Sequence, residues 1–199
     1  MQTELNYDTV FDAQEHFRVL LDSMSRPGKI NLLPAMDILP PNGFQHAAAL
    51  TAFALLNNDV TFYIAGNNSD DIAEYLLVNT GAHHVDIKSA DYIFIPRYFY
   101  EDELYEARFG TAIYPEDSAT IIAESDLISE QPHDGSTEIL LKGPGVDGEA
   151  KIYISGISEE LLEFLKAQNE EYPLGIDTII TDKMNNVMGL PRSNRFVFE

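Results

Sequence analysis

The sequence predicts an α/β fold built on a partly parallel sheet covered on both faces, from three observations. Runs rich in β-branched and aromatic residues, "VTFYIAG" from Val60 and "DYIFIP" from Asp91, each lead through a turn into a helical segment, the alternation of an α/β domain. An Ala-rich helix, about Phe44 to Asn57, is apolar on most sides and so belongs between layers. The second half is a series of strands joined by turns, which adds antiparallel pairs and makes the sheet mixed.

The first helix lies in "DTVFDAQEHFRVLLDSMSRPG", where Phe17, Leu20, Leu21 and Met24 recur at i, i+3, i+4 and i+7 on one face. Asp8 or Thr9 is placed to cap it and Pro27-Gly28 to end it. Asn57-Asn58-Asp59 stops the Ala-rich helix. After the Val60 strand, "NNSDDIAEYLLVNTG" is a helix capped by Asn68 or Ser69 and closed by Gly81. "YEDELYEARFG" repeats a short helix after the Asp91 strand. "ATIIAES" from Ala119, "TEILLKG" from Thr137 and "AKIYISG" from Ala150 have no helix between them and are expected to pair antiparallel. In "SEELLEFLKAQ", Ser158 is the cap, acids fill the first turn, and Leu161, Leu162 and Leu165 face inward. "GIDTIITD", a turn at "KMNN" and "VMGLP" make a hairpin, and "RFVFE" a last strand. With no linker, repeat or low-complexity tract, residues 1–199 are expected to form one domain.

A chain of 199 residues buries roughly 70% of its unfolded surface, enough for one core. The 33 Asp and Glu against 12 Lys and Arg, a formal charge of -21, oppose binding to nucleic acid and to anionic membranes. They leave two readings, a solvated acidic surface or a basic protein partner. Zero cysteines remove disulfides, thiolate metal sites and Cys nucleophiles, which fits a reducing compartment. The acidic start lacks an apolar h-region, and "AAALTAFALL" from Ala47 is too short for a bilayer, so the cytoplasm is expected.

A literal G-x-G-x-x-G at Gly143, Gly145 and Gly148 is read as a hairpin loop. A strand follows it where a dinucleotide site needs a helix, and Pro144 removes a backbone donor. Gly66 to Ser69 form a strand-to-helix turn, but Asp70 and Asp71 already use its dipole, so capping is the better account than phosphate binding. His16, His46, His83, His84 and His133 lack metal-ligand spacing, so no metal site is expected. Arg18 has Glu15 at i-3 and Asp22 at i+4, an ion-pair ladder on the surface. "RPG" and "GTAIYPEDSAT", the latter with Glu116, read as loops brought toward sheet ends, where α/β domains build sites.

Asp177 enters the apolar run Ile176 to Ile180 directly after Tyr172-Pro173-Leu174-Gly175, read as a type I turn with Pro at its second position. Strand periodicity puts it on the face of Ile179, where a carboxylate must be paired or hydrogen-bonded. Arg192 in "GLPRSN", on the hairpin partner, is the cationic candidate to pair with it. The pair is either a structural clamp or part of a ligand site.

"DAQEHFRVLLDSMSRPG", "GTAIYPEDSAT", "LKGPGV", "YPLGIDTIIT" and "GLPRS", in that order over nearly the full length, resemble the PhnH family, subunits of the bacterial carbon-phosphorus lyase system for phosphonate use. The resemblance implies a three-layer α/β sandwich with a mixed sheet, similar to the large domain of pyridoxal-phosphate-dependent transferases without the cofactor, and a homodimer. It implies partners PhnG, PhnI and PhnJ in a core complex, assisted by PhnL. PhnI would be the catalytic centre that displaces adenine from ATP with a phosphonate, and PhnJ would later break the carbon-phosphorus bond. None of the lysines Lys29, Lys88, Lys142, Lys151, Lys166 and Lys183 stands in a Schiff-base motif, consistent with a cofactor-free role. Two functional classes follow: a non-catalytic scaffold subunit, or a transferase or ligand-binding subunit with Arg18, Glu116, Asp177 and Arg192 lining a polar pocket. The strong acidity departs from what is usual in the family.

Overall fold

In chain order the elements are α1 (Phe11–Ser25), β1 (Asn31–Leu32), α2 (His46–Leu55), β2 (Thr61–Ile64), α3 (Ser69–Thr80), β3 (His83–His84), β4 (Tyr92–Ile95), β5 (Thr120–Glu124), β6 (Leu127–Ser129), β7 (Thr137–Lys142), β8 (Ala150–Ser155), α4 (Glu159–Gln168), β9 (Asp177–Thr181), β10 (Asn186–Leu190) and β11 (Arg195–Phe198). They come from a computed structural model that describes residues 6–66, 69–96 and 102–199. Asn68 as a cap, part of the Gly66 to Ser69 turn, and the start of the short helix expected from Tyr100 lie outside the described residues. A 3-10 turn, Asp102–Glu106, stands in the rest of that segment.

Two sheets result. A mixed seven-stranded sheet has the order β1-β10-β9-β5-β4-β2-β3, in which β3, β2, β4, β5 and β9 run parallel and β10 and β1 close one side antiparallel. A four-stranded antiparallel sheet has the order β11-β7-β8-β6. The expectation that the Ala119 segment pairs antiparallel with its successors is corrected: β5 runs parallel between β4 and β9. Its residues from Ile121 to Glu124 are all buried, as in a strand covered on both faces, whereas β7 and β8 alternate between buried and more open positions.

The large sheet separates two apolar cores. On one face Phe62, Phe94, Ile122 and Ile179 pack with Leu20 of α1, the alanines of α2 and Leu76 of α3. On the other, Ile93, Ile121 and Ile180 pack with the small sheet through Ile139 and Ile152 and with α4 through Leu162 and Leu165. α2 is buried from Ala47 through Phe53, as its apolar composition requires. The Ser158 hydroxyl accepts the Leu161 N–H at 3.2 Å and starts α4.

α1 meets the core by only half of the expected apolar face, through Leu20 and the partly buried Met24. Its buried residues are His16, Leu20 and Ser23, while Phe17 and Leu21 are 46% and 58% exposed. The polar pair tolerates burial because each is satisfied locally. His16 bonds the Pro34 carbonyl at 2.8 Å and the Tyr7 hydroxyl at 3.1 Å, and the Ser23 hydroxyl donates to the Val19 carbonyl at 2.9 Å. Close approach to β10 holds this orientation, since a Cβ on Gly189 would lie 2.4 Å from the Ser23 carbonyl oxygen. At the start, the Asp8 carboxylate accepts the Val10 and Phe11 N–H groups, both at 2.8 Å, which lowers its pKa.

Candidate functional site

Tyr92, Thr120 and Asp177 open β4, β5 and β9, and the parallel register sets Tyr92 beside Thr120 and Thr120 beside Asp177. They form a row along the amino edge of the large sheet. The turn before Asp177 is not the type I turn expected. The Leu174 N–H bonds the Glu171 carbonyl at 3.0 Å, so the turn starts one residue earlier, and the cis Tyr172–Pro173 peptide puts Pro173 at its third position. Gly175, at φ 127°, then passes so close to α4 that a Cβ would lie 2.5 Å from the Asn169 amide oxygen. That oxygen accepts the Ile176 N–H at 3.0 Å, which fixes where β9 begins.

β10 returns antiparallel to β9 and turns at Pro191–Asn194, which brings Arg192 over Asp177. One carboxylate oxygen accepts the Arg192 backbone N–H at 2.9 Å, and the other accepts Nε at 3.1 Å and Nη2 at 2.6 Å. Nη1 donates to the Pro115 carbonyl at 2.6 Å. The Asp177 side chain is 26% exposed and that of Arg192 15%, so the pair sits at the rim, and the full burial inferred from the strand period is corrected to partial burial.

This pair divides two hollows. One, of about 180 Å³, lies between Phe17, Leu21 and Met24 of α1, Leu55 of α2 and the Tyr92-Thr120-Asp177 row, and is apolar apart from the carboxylate and hydroxyls of the row. The other, of about 350 Å³, is more open and lined by Pro115, Glu116, Tyr172, Pro173, Arg192 and Ser193. Thus Glu116, Asp177 and Arg192 come together. Arg18 does not: it is exposed on α1, lines neither hollow and forms no ion pair with a described residue. The ladder expected for it is replaced, because Asp22 pairs instead with Arg26 and, at 2.7 Å, with Lys29.

The opposite, carboxyl edge of the parallel strands is where α/β folds usually bind ligands. There Glu124, buried at the end of β5, accepts the Gln45 N–H at 2.7 Å at the amino terminus of α2. A carboxylate of the chain itself therefore holds the position an anionic ligand would take. Beyond β9, the buried Asp182 accepts N–H groups of Ile128, Met184 and Asn186 and the Asn186 side-chain amide, all within 2.9 Å. Sequence reasoning missed both residues. The signal was a carboxylate ending each apolar run, in "ATIIAES" and "DTIITD", which burial obliges to find donors. Gly143 to Gly148 form the loop between β7 and β8, and Gly145 packs on the end of α1, where a Cβ would lie 2.5 Å from the Ser25 carbonyl oxygen. Among the described residues no group of three or more His, Asp or Glu is arranged to hold a metal ion, and no helix is long and apolar enough to cross a membrane.

The family described as bacterial phosphonate metabolism protein (PhnH) matches residues 6–197, a span that includes both sheets and both hollows. The chain belongs to this family. It is 29% identical over 195 residues, 94% of this chain and 92% of the relative, to the alpha-D-ribose 1-methylphosphonate 5-triphosphate synthase subunit PhnH of Rhizobium meliloti (strain 1021). It is 26% identical over 184 residues, 90% of this chain and 83% of the relative, to HtxG of Stutzerimonas stutzeri, assigned as a C-P lyase subunit protein. In this PhnH-family chain, Asp177 and Arg192 stand in two of the five segments that carried the resemblance, and Glu116 in a third.

Proposed function

We propose that the chain is a non-catalytic subunit of the complex that converts ATP and an alkylphosphonate to a ribose 1-alkylphosphonate 5-triphosphate and adenine in phosphonate catabolism. The observation that carries the non-catalytic reading is that, among the described residues, the Arg192 guanidinium at one sheet edge and the α2 amino terminus at the other are already engaged. Arg192 is committed to Asp177 and the Pro115 carbonyl, and the α2 amino terminus to Glu124. A triphosphate or phosphonate entering either place would meet these carboxylates, whose described partners are already committed, which disfavours it in a chain of formal charge -21. In this reading the chain is a cytoplasmic, cofactor-free homodimer that joins PhnG, PhnI and PhnJ, with PhnL acting alongside, and ATP and phosphonate are bound by the complex.

The convergence of Glu116, Arg192 and Ser193 on one hollow favours a second reading, in which the chain binds a small polar ligand itself. Calorimetric titration with ATP and methylphosphonate separates the two. The scaffold reading expects no heat of binding from the isolated chain and binding once the other subunits are present. Saturable binding by the isolated chain, lost in Arg192→Ala, would establish the second reading.

A further inference from the structure

We propose that the α1 flank and the apolar hollow beside it are one docking face for a segment of a partner subunit that carries an aliphatic or aromatic anchor with Lys or Arg next to it. The proposal rests on the reading of the chain as a subunit of a complex.

Val10, which immediately precedes α1, falls at i on the line that Phe17 and Leu21 continue along the helix at i+7 and i+11, and all three are exposed large apolar side chains. Isolated exposed apolar residues are ordinary, but an aligned row that runs into a hollow of about 180 Å³ is a contiguous patch, the usual mark of an interaction surface. Phe17 and Leu21 are themselves walls of that hollow, and Leu55 and Ile179 supply apolar surface deeper in. The helix buries His16, Leu20 and Ser23 and leaves Phe17 and Leu21 exposed beside them.

Charge selects the occupant. Asp177 is in the wall, and Glu116 and Asp117, just before Thr120, and Asp59, just after α2, are exposed acids that form no ion pair with a described residue. Of the described cations at this sheet edge, Arg108 and Arg192 are committed to Asp91 and Asp177, and Lys88 to Glu106. Arg18 alone borders the row on α1. A basic-flanked anchor therefore meets complementary charge over the sheet edge, whereas a second copy of this chain, itself at formal charge -21, brings like charges together.

The test uses the full chain co-expressed with the other subunits of the carbon-phosphorus lyase complex. Phe17→Ser with Leu21→Ser should weaken assembly at least tenfold, while Val197→Ser, an exposed apolar residue on the small sheet, should leave it unchanged. Because the chain has no cysteine, L21C takes a single environment-sensitive fluorophore without touching the core. Its emission should shift to the blue when the other subunits are added, and that of labelled V197C should not. Parent-like assembly of the double variant, or no shift at the L21C label, overturns the docking face while leaving complex membership intact. A double variant that assembles normally but halves the mass of the free protein would assign the face to a second copy and overturn the proposal. If the unaltered chain fails to join the complex, the functional reading falls and this inference falls with it.

Discussion

The worth of the Asp177–Arg192 pair follows from its exposure. A fully buried pair that loses one partner costs about 3–5 kcal/mol, and an exposed pair is worth about 0–1 kcal/mol. With side chains 26% and 15% exposed and four hydrogen bonds holding the guanidinium and its backbone, an intermediate cost of about 2 kcal/mol is expected for Asp177→Asn. In a chain of this size that lowers Tm by roughly 4–8 °C, with adenine release by the complex falling only as assembly falls. A variant that melts and assembles like the parent while phosphonate-dependent adenine release collapses would place Asp177 in a functional site. Asp91 has a pH consequence of its own. Partial burial pushes its carboxyl up, but the Thr61 amide and hydroxyl at 2.7 and 2.8 Å, together with Arg108, outweigh this and leave its pKa below the ordinary value. Below about pH 4 the unfolded chain then binds this proton more readily than the folded one, so stability present above that pH is lost as pH falls through the folded pKa. Acid unfolding of Asp91→Asn should show a shallower loss of stability below about pH 4 than the parent, and identical slopes would mean that the contacts contribute nothing there.

Elements with one-sided periodicity or a cap of their own were legible in the sequence: α4 through Ser158, the β9–β10 hairpin through its turn residues, and α2 through its alanines. Two features were not, each because a long-range contact outweighed the local pattern. β5 reads like its neighbours in the chain, yet its uninterrupted burial makes it a central parallel strand, while the alternating β7 and β8 form a separate sheet. α1 shows the apolar spacing of a core-facing stripe, but its seating on β10 is decided by a glycine some 160 residues away in the chain, which local periodicity does not contain. The candidate site divided in the same way: Asp177, Arg192 and Glu116, read from turns and pairing needs, lie together, whereas Arg18 stands apart, exposed on α1. Gly189→Ala tests that seating. A Cβ 2.4 Å from the Ser23 carbonyl oxygen and 2.8 Å from the Met24 Cα must push the helix backbone off the strand. The expected loss is about 1–3 kcal/mol in chemical denaturation, with faster amide exchange in α1 than in α4. A parent-like midpoint would mean that α1 is not held by this contact.

For the molecule as a whole the dominant quantity is its formal charge of -21, and the sign of its response to salt distinguishes what that charge is for. If it only keeps the chain soluble, association with partner subunits is indifferent to ionic strength. If it draws in basic surfaces, the attraction acts over the Debye length, about 10 Å at 0.1 M salt and about 3 Å at 1 M, so it accelerates encounter and is screened early. Stopped-flow association with the other subunits should therefore slow at least about tenfold between roughly 0.05 M and 0.5 M salt, with dissociation nearly unchanged. The apolar row on α1 acts on the other rate: removing Phe17 and Leu21 should speed dissociation and leave the salt dependence of association in place. Self-association carries the opposite sign, because two copies of like charge approach each other more easily when screened, so the proposed homodimer should tighten as salt rises. A homodimer that loosens with salt, or association kinetics with the other subunits that ignore it, would leave the acidic surface with solubility as its role and would remove charge from the recognition of partners.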